Sequence, residues 1–260
     1  MKKIAIIGCS HSYYGECETN WTTMFPDDFI IHNYSLAGHG VQYFDFILKY
    51  LVANKMDYDC VIIQLTSATR WQFPVSGHTS NELIEWKVSD NYVNYSVNYS
   101  HATAHDTVDH EDLYKNYPMK FLNDISIFNH GFKRSRDNLT DAEFDRFDIN
   151  SSQQETWVTE YYNLFTQTLH MYESQFPNVF WWRFANTPIN NIGHDTHTAL
   201  DTVINKKELY GDLNDIVDDT YHLTPLGYRI LFDEYIMKSK IGDYVRSNTN
   251  DKVFFNSFSR

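Results

Sequence analysis

The sequence is poor in cysteine, in basic residues and in long apolar runs, and each shortage excludes a class of protein. Three cysteines in 260 residues are an odd and sparse set, which supplies no disulfide framework and favours a reducing compartment. No apolar run approaches the roughly 18 residues of a membrane span. The formal net charge of −13 argues against nucleic acid and anionic membranes as partners, because both bind basic surfaces.

The beginning of the chain imitates a secretion signal without meeting its requirements. Lys2 and Lys3 precede an apolar run over residues 4–7, which is shorter than the roughly 7 to 15 residues of a signal-peptide core. We therefore interpret the run as a strand and expect a cytoplasmic protein, whether its source is cellular or viral. No linker divides the sequence, so its length predicts a single domain over residues 1–260.

Short apolar runs alternate with amphipathic stretches along the chain. The predicted strands are residues 4–7, 29–33, 60–65 and 179–183, and the predicted helices are residues 41–52 and 155–172. Runs that are apolar throughout are typical of parallel sheets buried on both faces. The order predicts an α/β fold, a three-layer, doubly wound, flavodoxin-like parallel sheet flanked by helices, with its site at the C-terminal ends of the strands.

A long segment over residues 72–150 interrupts this order. We interpret it as an irregular insertion of the kind that forms lids, binding surfaces or oligomer contacts. It contains an Asn-Tyr repeat over residues 91–100, followed by His101 and His105. If helical, these two histidines would share one face and could bind a metal, but solvated or hydrogen-bonded histidines are favoured and no metal site is assigned.

The residues near the C-terminus combine a helix start with a candidate base. Thr224 is a suitable N-cap and Pro225 a suitable first helical residue, which leaves His222 on the preceding loop. Asp219 can orient one ring nitrogen of His222 while the other faces a cleft, as in the base and orienting partner of a nucleophilic site. The alternative is that Asp219 caps a turn beside a surface histidine.

A matching serine lies at the other end of the chain. Gly8 stops the first predicted strand, and Ser10 follows at its C-terminal edge, with Ser12 as a rival hydroxyl. Together with the pattern D-x-x-H-L-x-x-x-G-Y over residues 219–228, the Gly8-Cys9-Ser10 segment resembles the SGNH (GDSL-like) hydrolase family, whose first block is Gly-Asp-Ser. The resemblance implies that Ser10 is the nucleophile, and its spacing from Gly8 favours it over Ser12.

The resemblance implies acyl transfer through a covalent ester, with no metal or organic cofactor. Ser10 would attack the ester carbonyl, His222 would take and return the proton, and Asp219 would fix the histidine tautomer. Gly38, after the second predicted strand, falls on the family's second-block glycine, whose amide helps to form the oxyanion hole. An ordinary turn is the alternative for Gly38.

The chain departs from the family after its third predicted strand. The usual pattern there is Gly-x-Asn-Asp, and Ala68 stands where the asparagine would donate to the oxyanion. Removing one such donor costs on the order of 10² to 10³ in turnover, so the loss either cripples catalysis or is compensated. Ser67 and Arg70 are the candidates for compensation. Arg70 could also hold a substrate carboxylate, although a solvated surface charge is the commoner role of such an arginine.

We expect the substrate to be a small-molecule or carbohydrate ester. An acidic chain with 17% aromatic residues suits a neutral acylated sugar, which makes removal of O-acetyl groups the first hypothesis and a small-ester lipase or thioesterase the second. An O-acyltransferase would use the same residues. A different class, a non-catalytic carbohydrate-binding or structural module with a decayed site, is favoured by Cys9 and Ala68, where the family has Asp and Asn. The sequence leaves oligomerisation open.

Overall fold

A six-stranded sheet forms the centre of the described part of the protein. The computed structural model describes residues 1–14, 19–37, 40–66, 73–74, 83–97, 119–120, 151–185, 189–194, 196–206, 213–217 and 222–249. Its strands are β1 (Lys2–Ile7), β2 (Phe29–Asn33), β3 (Cys60–Leu65), β4 (Phe73–Pro74), β5 (Leu83–Ser89), β6 (Tyr92–Val97), β7 (Met119–Lys120) and β8 (Val179–Arg183). Six of them lie in the order β5-β6-β2-β1-β3-β8, and β4 pairs separately with β7.

The four predicted strands pair in parallel with one another. β1 pairs in parallel with β2 on one side and with β3 on the other, and β3 pairs in parallel with β8. The predicted bounds of β2, β3 and β8 are confirmed, while β1 begins earlier than predicted, at Lys2. Residues 4–7 and 60–63 are fully buried, as expected of strands with helices on both faces. The prediction of an α/β fold with a mostly parallel sheet is therefore confirmed.

The prediction of an irregular insertion over residues 72–150 is wrong for residues 83–97. There β5 and β6 form an antiparallel hairpin, and β6 pairs in parallel with β2, with Val93 opposite His32. The Asn-Tyr repeat contributes Tyr92 and Val93, aromatic and β-branched residues that favour strands, and both are buried. The hairpin makes the sheet mixed. The single domain over residues 1–260 stays a prediction, because most of the 72–150 segment lies outside the described residues.

Helices pack on both faces of the sheet. They are α1 (Val41–Ala53), α2 (Ser151–Tyr172), α3 (Ala199–Asn205), α4 (Leu213–Ile216), α5 (Pro225–Ile230) and α6 (Lys240–Asn248), with a π-helical turn (Leu231–Ile236) after α5. The two helices predicted for residues 41–52 and 155–172 are confirmed as α1 and α2, each slightly longer than predicted. No helix in the described ranges combines the length and the apolar character that a membrane crossing requires.

Alternate residues of the central strands face different helices. Ile7 belongs to a buried cluster with Ile47 of α1 and Phe165 of α2. Ile6, the neighbour of Ile7, belongs to a second cluster with Phe232 of the π-helical turn. Burial of each such side chain contributes about 1.5–3 kcal/mol, so both helical layers hold the same strands in place. Because β1, β3 and β8 run parallel, their C-terminal ends lie at one edge of the sheet.

His32 of β2 occupies a half-buried position among tyrosines. Its Nδ1 lies 2.7 Å from the hydroxyl of Tyr58, and its ring centroid lies 5.3 Å from that of Tyr95. Burial lowers the pKa of His32 below its usual value of 6.5, the charge of Lys3 lowers it further, and the carboxylate of Glu85 opposes the shift. The folded protein therefore binds a proton at His32 less readily than the unfolded chain does.

We expect His32 to make the protein less stable in acid. Because the unfolded chain takes up the proton first, the free energy of unfolding should fall as the pH drops below about 6.5 and through the lower pKa of the folded state. His32→Gln cannot titrate, so its free energy of unfolding should fall less between about pH 7.5 and pH 5, as measured by urea unfolding. An equal fall for His32→Gln and the wild type would contradict this account.

Candidate active site

The chain leaves β1 through a tight turn that carries both candidate serines. Ile7 ends the strand, Gly8 and Cys9 follow, and Ser10–Ser12 form one turn of 3-10 helix. A Cβ on Gly8 would lie 2.8 Å from the Cβ of Ser12 and 3.0 Å from the Oε1 of Gln64. Glycine is required at position 8 because the turn folds back against its own strand and against the end of β3.

Buried polar side chains hold this turn in place. Gln64 Oε1 accepts hydrogen bonds from the backbone N–H of Cys9 at 3.2 Å and from the hydroxyl of Ser12 at 3.1 Å. The indole N–H of Trp21 donates to Ser12 Oγ at 3.1 Å, and the Asn33 side-chain amide donates to the Ser12 carbonyl at 2.7 Å. These partners come from β2, from β3 and from the segment after the turn. The position of the turn is therefore set by the folded sheet before any ligand binds.

The two serines of the turn have different surroundings. Ser12 is 0% exposed, and its hydroxyl donates to Gln64 while accepting from Trp21. Ser10 is 4% exposed, and its Oγ has no hydrogen-bond partner among the described residues. The Ser12 hydroxyl therefore helps to hold the turn together, whereas no described residue binds the Ser10 hydroxyl in this way.

The loop that carries His222 is supported by a small helical unit. Thr224 caps α5 as predicted, with its Oγ1 accepting from the backbone N–H of Gly227 at 3.2 Å, and Pro225 is the first helical residue. The Thr224 N–H donates to the Ile216 carbonyl at 2.9 Å. A Cβ on Gly227 would lie 2.2 Å from the Ile216 carbonyl oxygen, so only glycine allows α4 and α5 to pack this closely. The close packing fixes the start of α5, the helix that begins three residues after His222.

The two ends of the sequence meet at the C-terminal edge of the sheet. The ring of His11, the residue after Ser10, has its centroid 5.2 Å from that of His222. The His11 ring also stacks on Phe184, the residue after β8, with centroids 3.8 Å apart and an angle of 22° between the rings. The serine turn, the His222 loop and the end of β8 therefore lie together.

Four of the predicted site residues lie outside the described residues. They are Gly38, Ser67, Arg70 and Asp219. Asp219 as the partner of the histidine therefore stays a prediction. The same holds for Gly38, Ser67 and Arg70 as donors to the oxyanion. Ser10 and His222 are described, and each lies on a loop at the predicted edge of the sheet.

The sequence carried an unused signal for the residues that hold the serine turn. Gln64 interrupts the otherwise apolar run of β3, and Asn33 is the last residue of β2. A polar side chain in a buried strand must find hydrogen-bond partners, and the loop at the end of the neighbouring strand is where it can do so. A similar signal was available for α3, where Thr198 and Asp201 form a capping box.

A groove between α1 and α2 lies apart from the serine turn and the His222 loop. Its lining includes Val52, Leu164 and Met171, and neither Ser10 nor His222 contributes to it. We assign the groove no role in the chemistry.

The described residues contain no cluster of three or more histidine, cysteine, aspartate or glutamate side chains that could hold a metal ion. His101 and His105 lie outside them.

Comparison of the chain with protein-family models, with curated proteins and with solved structures found no match. The functional interpretation therefore depends on the geometry of the site and on the sequence motifs.

We expect the two serines to differ in their contribution to stability. Ser12→Ala deprives the buried Trp21 N–H of its acceptor, so it should lower the free energy of unfolding by about 1–3 kcal/mol. Ser10→Ala removes a buried hydroxyl that has no partner among the described residues, so it should leave the free energy of unfolding unchanged or raise it by about 1–3 kcal/mol. Urea unfolding of the two variants beside the wild type measures both effects. Similar losses for both would show that Ser10 also holds the turn.

Proposed function

We propose that this chain is a serine ester hydrolase of the SGNH (GDSL-like) type, built on a doubly wound, flavodoxin-like sheet. The observation that carries the proposal is the meeting of the Ser10 turn with the His222 loop, given by the 5.2 Å between the rings of His11 and His222. The C-terminal edge of a parallel sheet, where these two loops meet, is where such folds place their binding sites. The strand order β2-β1-β3-β8 supports the proposed sheet topology, with the β5-β6 hairpin added beyond β2.

The proposed mechanism is acyl transfer through a covalent ester. Ser10 Oγ attacks the ester carbonyl and passes its proton to His222, while Asp219 holds the histidine tautomer. The tetrahedral intermediate collapses to an acyl-serine, and His222 returns the proton to the leaving alcohol. Water then attacks the acyl-serine by the same route, which releases the acid and restores the Ser10 hydroxyl.

The environment of Ser10 supports its assignment as the nucleophile. A buried hydroxyl without a hydrogen bond destabilises the folded protein, so its retention needs another reason. An attacking hydroxyl must transfer its proton to a base in the transition state, and a competing strong acceptor would hinder that transfer. Ser12 has such an acceptor in Gln64, whereas Ser10 has none among the described residues.

The oxyanion would be held by the backbone N–H groups of Ser10 and Gly38, with help from Ser67 or Arg70. Donors that are fixed before the reaction contribute most, because no reorganisation is needed as the charge develops. The network around Ser12 fixes the backbone of the serine turn in this way. In the sequence, Ser67 and Arg70 follow the end of β3 by two and five residues.

The proposed substrate is a small-molecule or carbohydrate ester, with removal of O-acetyl groups as the first hypothesis. An O-acyltransferase would share the site and differ in letting an alcohol replace water. Analysis of the products with and without sugar acceptors separates the two activities.

A non-catalytic binding module is the second candidate, because Ala68 stands where the family has its asparagine donor. Such a module should not react with a fluorophosphonate probe, whereas an intact serine nucleophile should be labelled.

We expect Ser10→Ala to abolish ester hydrolysis. Loss of the nucleophile should lower the turnover of p-nitrophenyl acetate by on the order of 10⁴-fold or more and should prevent fluorophosphonate labelling. The matched control is Ser247→Ala, which changes an exposed serine of α6 and should leave both readouts unchanged. Equal turnover by the wild type and Ser10→Ala would remove Ser10 from the mechanism.

A further inference from the structure

Arg183 is a buried cation at the same edge of the sheet as the serine turn. It is the last residue of β8, and it pairs in the sheet with Leu65, the last residue of β3. Arg183 is 9% exposed, although arginine is almost never this buried unless it is paired with a charged or polar group. Its burial therefore needs an explanation.

The described residues do not provide the missing anion. The guanidinium carbon of Arg183 lies 5.2 Å from the ring centroid of Tyr162 on α2, which is a cation–π contact. The Nε of Arg183 is buried without a hydrogen-bond partner, and no ion pair joins this side chain to a described carboxylate. A guanidinium has five N–H donors, and an aromatic ring does not satisfy them in place of oxygen acceptors. Among the described residues, Arg183 therefore has an aromatic neighbour and no anionic one.

Tyr162 adds a second donor at the same place. Its hydroxyl is buried and has no partner among the described residues. Burial raises the pKa of Tyr162 to about 12, the Arg183 charge opposes that rise, and the Cys9 thiol adds to it. Tyr162 is therefore a neutral phenol at physiological pH, and it can donate its O–H to an anion beside the guanidinium.

The register of the sheet places this pair close to Ser10. Ile7, Ile63 and Trp181 are aligned across β1, β3 and β8, and Leu65 and Arg183 form the next row on the same face. Cys9 continues beyond Ile7 with an extended backbone and belongs to the same buried cluster as Leu65. Neighbouring strands are about 4.8 Å apart, so the backbones of Arg183 and of the serine turn are separated by roughly 10 Å. One small ester can span a separation of this size.

We propose that Arg183 and Tyr162 form a carboxylate-binding subsite beside Ser10, so that the preferred ester carries a negative charge in its acyl or its alcohol part. The inference rests on the proposed esterase function and narrows its substrate class from neutral to acidic esters. A guanidinium and a carboxylate form paired, charge-assisted hydrogen bonds with a geometry that neutral esters cannot match. The overall charge of −13 does not prevent this, because surface charges are screened over about 8 Å in physiological salt while the buried guanidinium acts at contact.

Matched pairs of esters test the subsite and show which part of the ester carries the charge. Mono-p-nitrophenyl succinate and p-nitrophenyl butyrate differ by a carboxylate in the acyl part, and 4-acetoxybenzoate and 4-acetoxybenzamide differ by one in the alcohol part. We expect the wild type to favour the anionic member of at least one pair by roughly 10- to 100-fold in kcat/KM. Arg183→Met should lose that preference while it still hydrolyses the neutral esters, and Arg183→Lys should retain part of it.

A matched control and a binding measurement separate this inference from the esterase function. Arg229→Met removes an exposed guanidinium and should keep the full preference. Succinate should raise the Tm of the wild type and of Ser10→Ala, but not that of Arg183→Met, whereas neutral succinamide should raise none of them. Tyr162→Phe keeps the ring and loses one donor, so the succinate effect should weaken in that variant.

The outcomes distinguish the two proposals. Turnover of neutral esters with no anionic preference and no succinate effect would overturn the subsite and leave the esterase intact. A succinate effect that depends on Arg183, without turnover or fluorophosphonate labelling, would support the subsite and overturn the esterase. If Arg183→Met does not fold, Arg183→Lys and Tyr162→Phe decide the matter, and full retention of the preference and of the succinate effect in both would show that Arg183 only packs against Tyr162.

Discussion

The candidate site depends on the hydrogen bonds made by the side-chain amide of Gln64. Its oxygen accepts from the Cys9 N–H and the Ser12 hydroxyl, at 3.2 and 3.1 Å, and its nitrogen donates to the Leu65 carbonyl at 2.9 Å. Gln64 is fully buried, so each of these groups would be costly to leave unpaired. The turn that carries Ser10 is thereby attached to the end of β3 in one conformation.

Two other polar groups at this edge of the sheet contrast with that network. Ser10 Oγ and Arg183 Nε are buried, and neither has a hydrogen-bond partner among the described residues. Groups of this kind destabilise the folded state, so a chain that satisfies the neighbouring Gln64 and Ser12 gains nothing in stability from them. Exceptions to hydrogen-bond satisfaction are expected where a protein binds or transforms a ligand. The same reasoning connects the proposed nucleophile with the proposed carboxylate subsite.

The elements that could be predicted are those whose signal is local. β2 and β3 are short apolar runs with clear ends, and the Thr224-Pro225 pair marks a helix start through a cap and a fixed backbone angle. The β5-β6 hairpin was missed although its Asn-Tyr repeat alternates polar and aromatic residues, a period of two that is typical of a strand. The place of the hairpin in the sheet depends on the pairing of β6 with β2, a strand that lies far away in the sequence.

By itself, the sequence determined the central strands, the start of α5, and the presence of a serine and a histidine on loops at strand ends, because each follows from residues close together in the chain. Only the tertiary structure decided that the Ser12 hydroxyl is hydrogen-bonded while the Ser10 hydroxyl has no partner among the described residues. It also decided that Arg183 is buried beside Tyr162. Those outcomes depend on hydrogen bonds and packing between residues far apart in sequence, and no local pattern determines which distant groups meet.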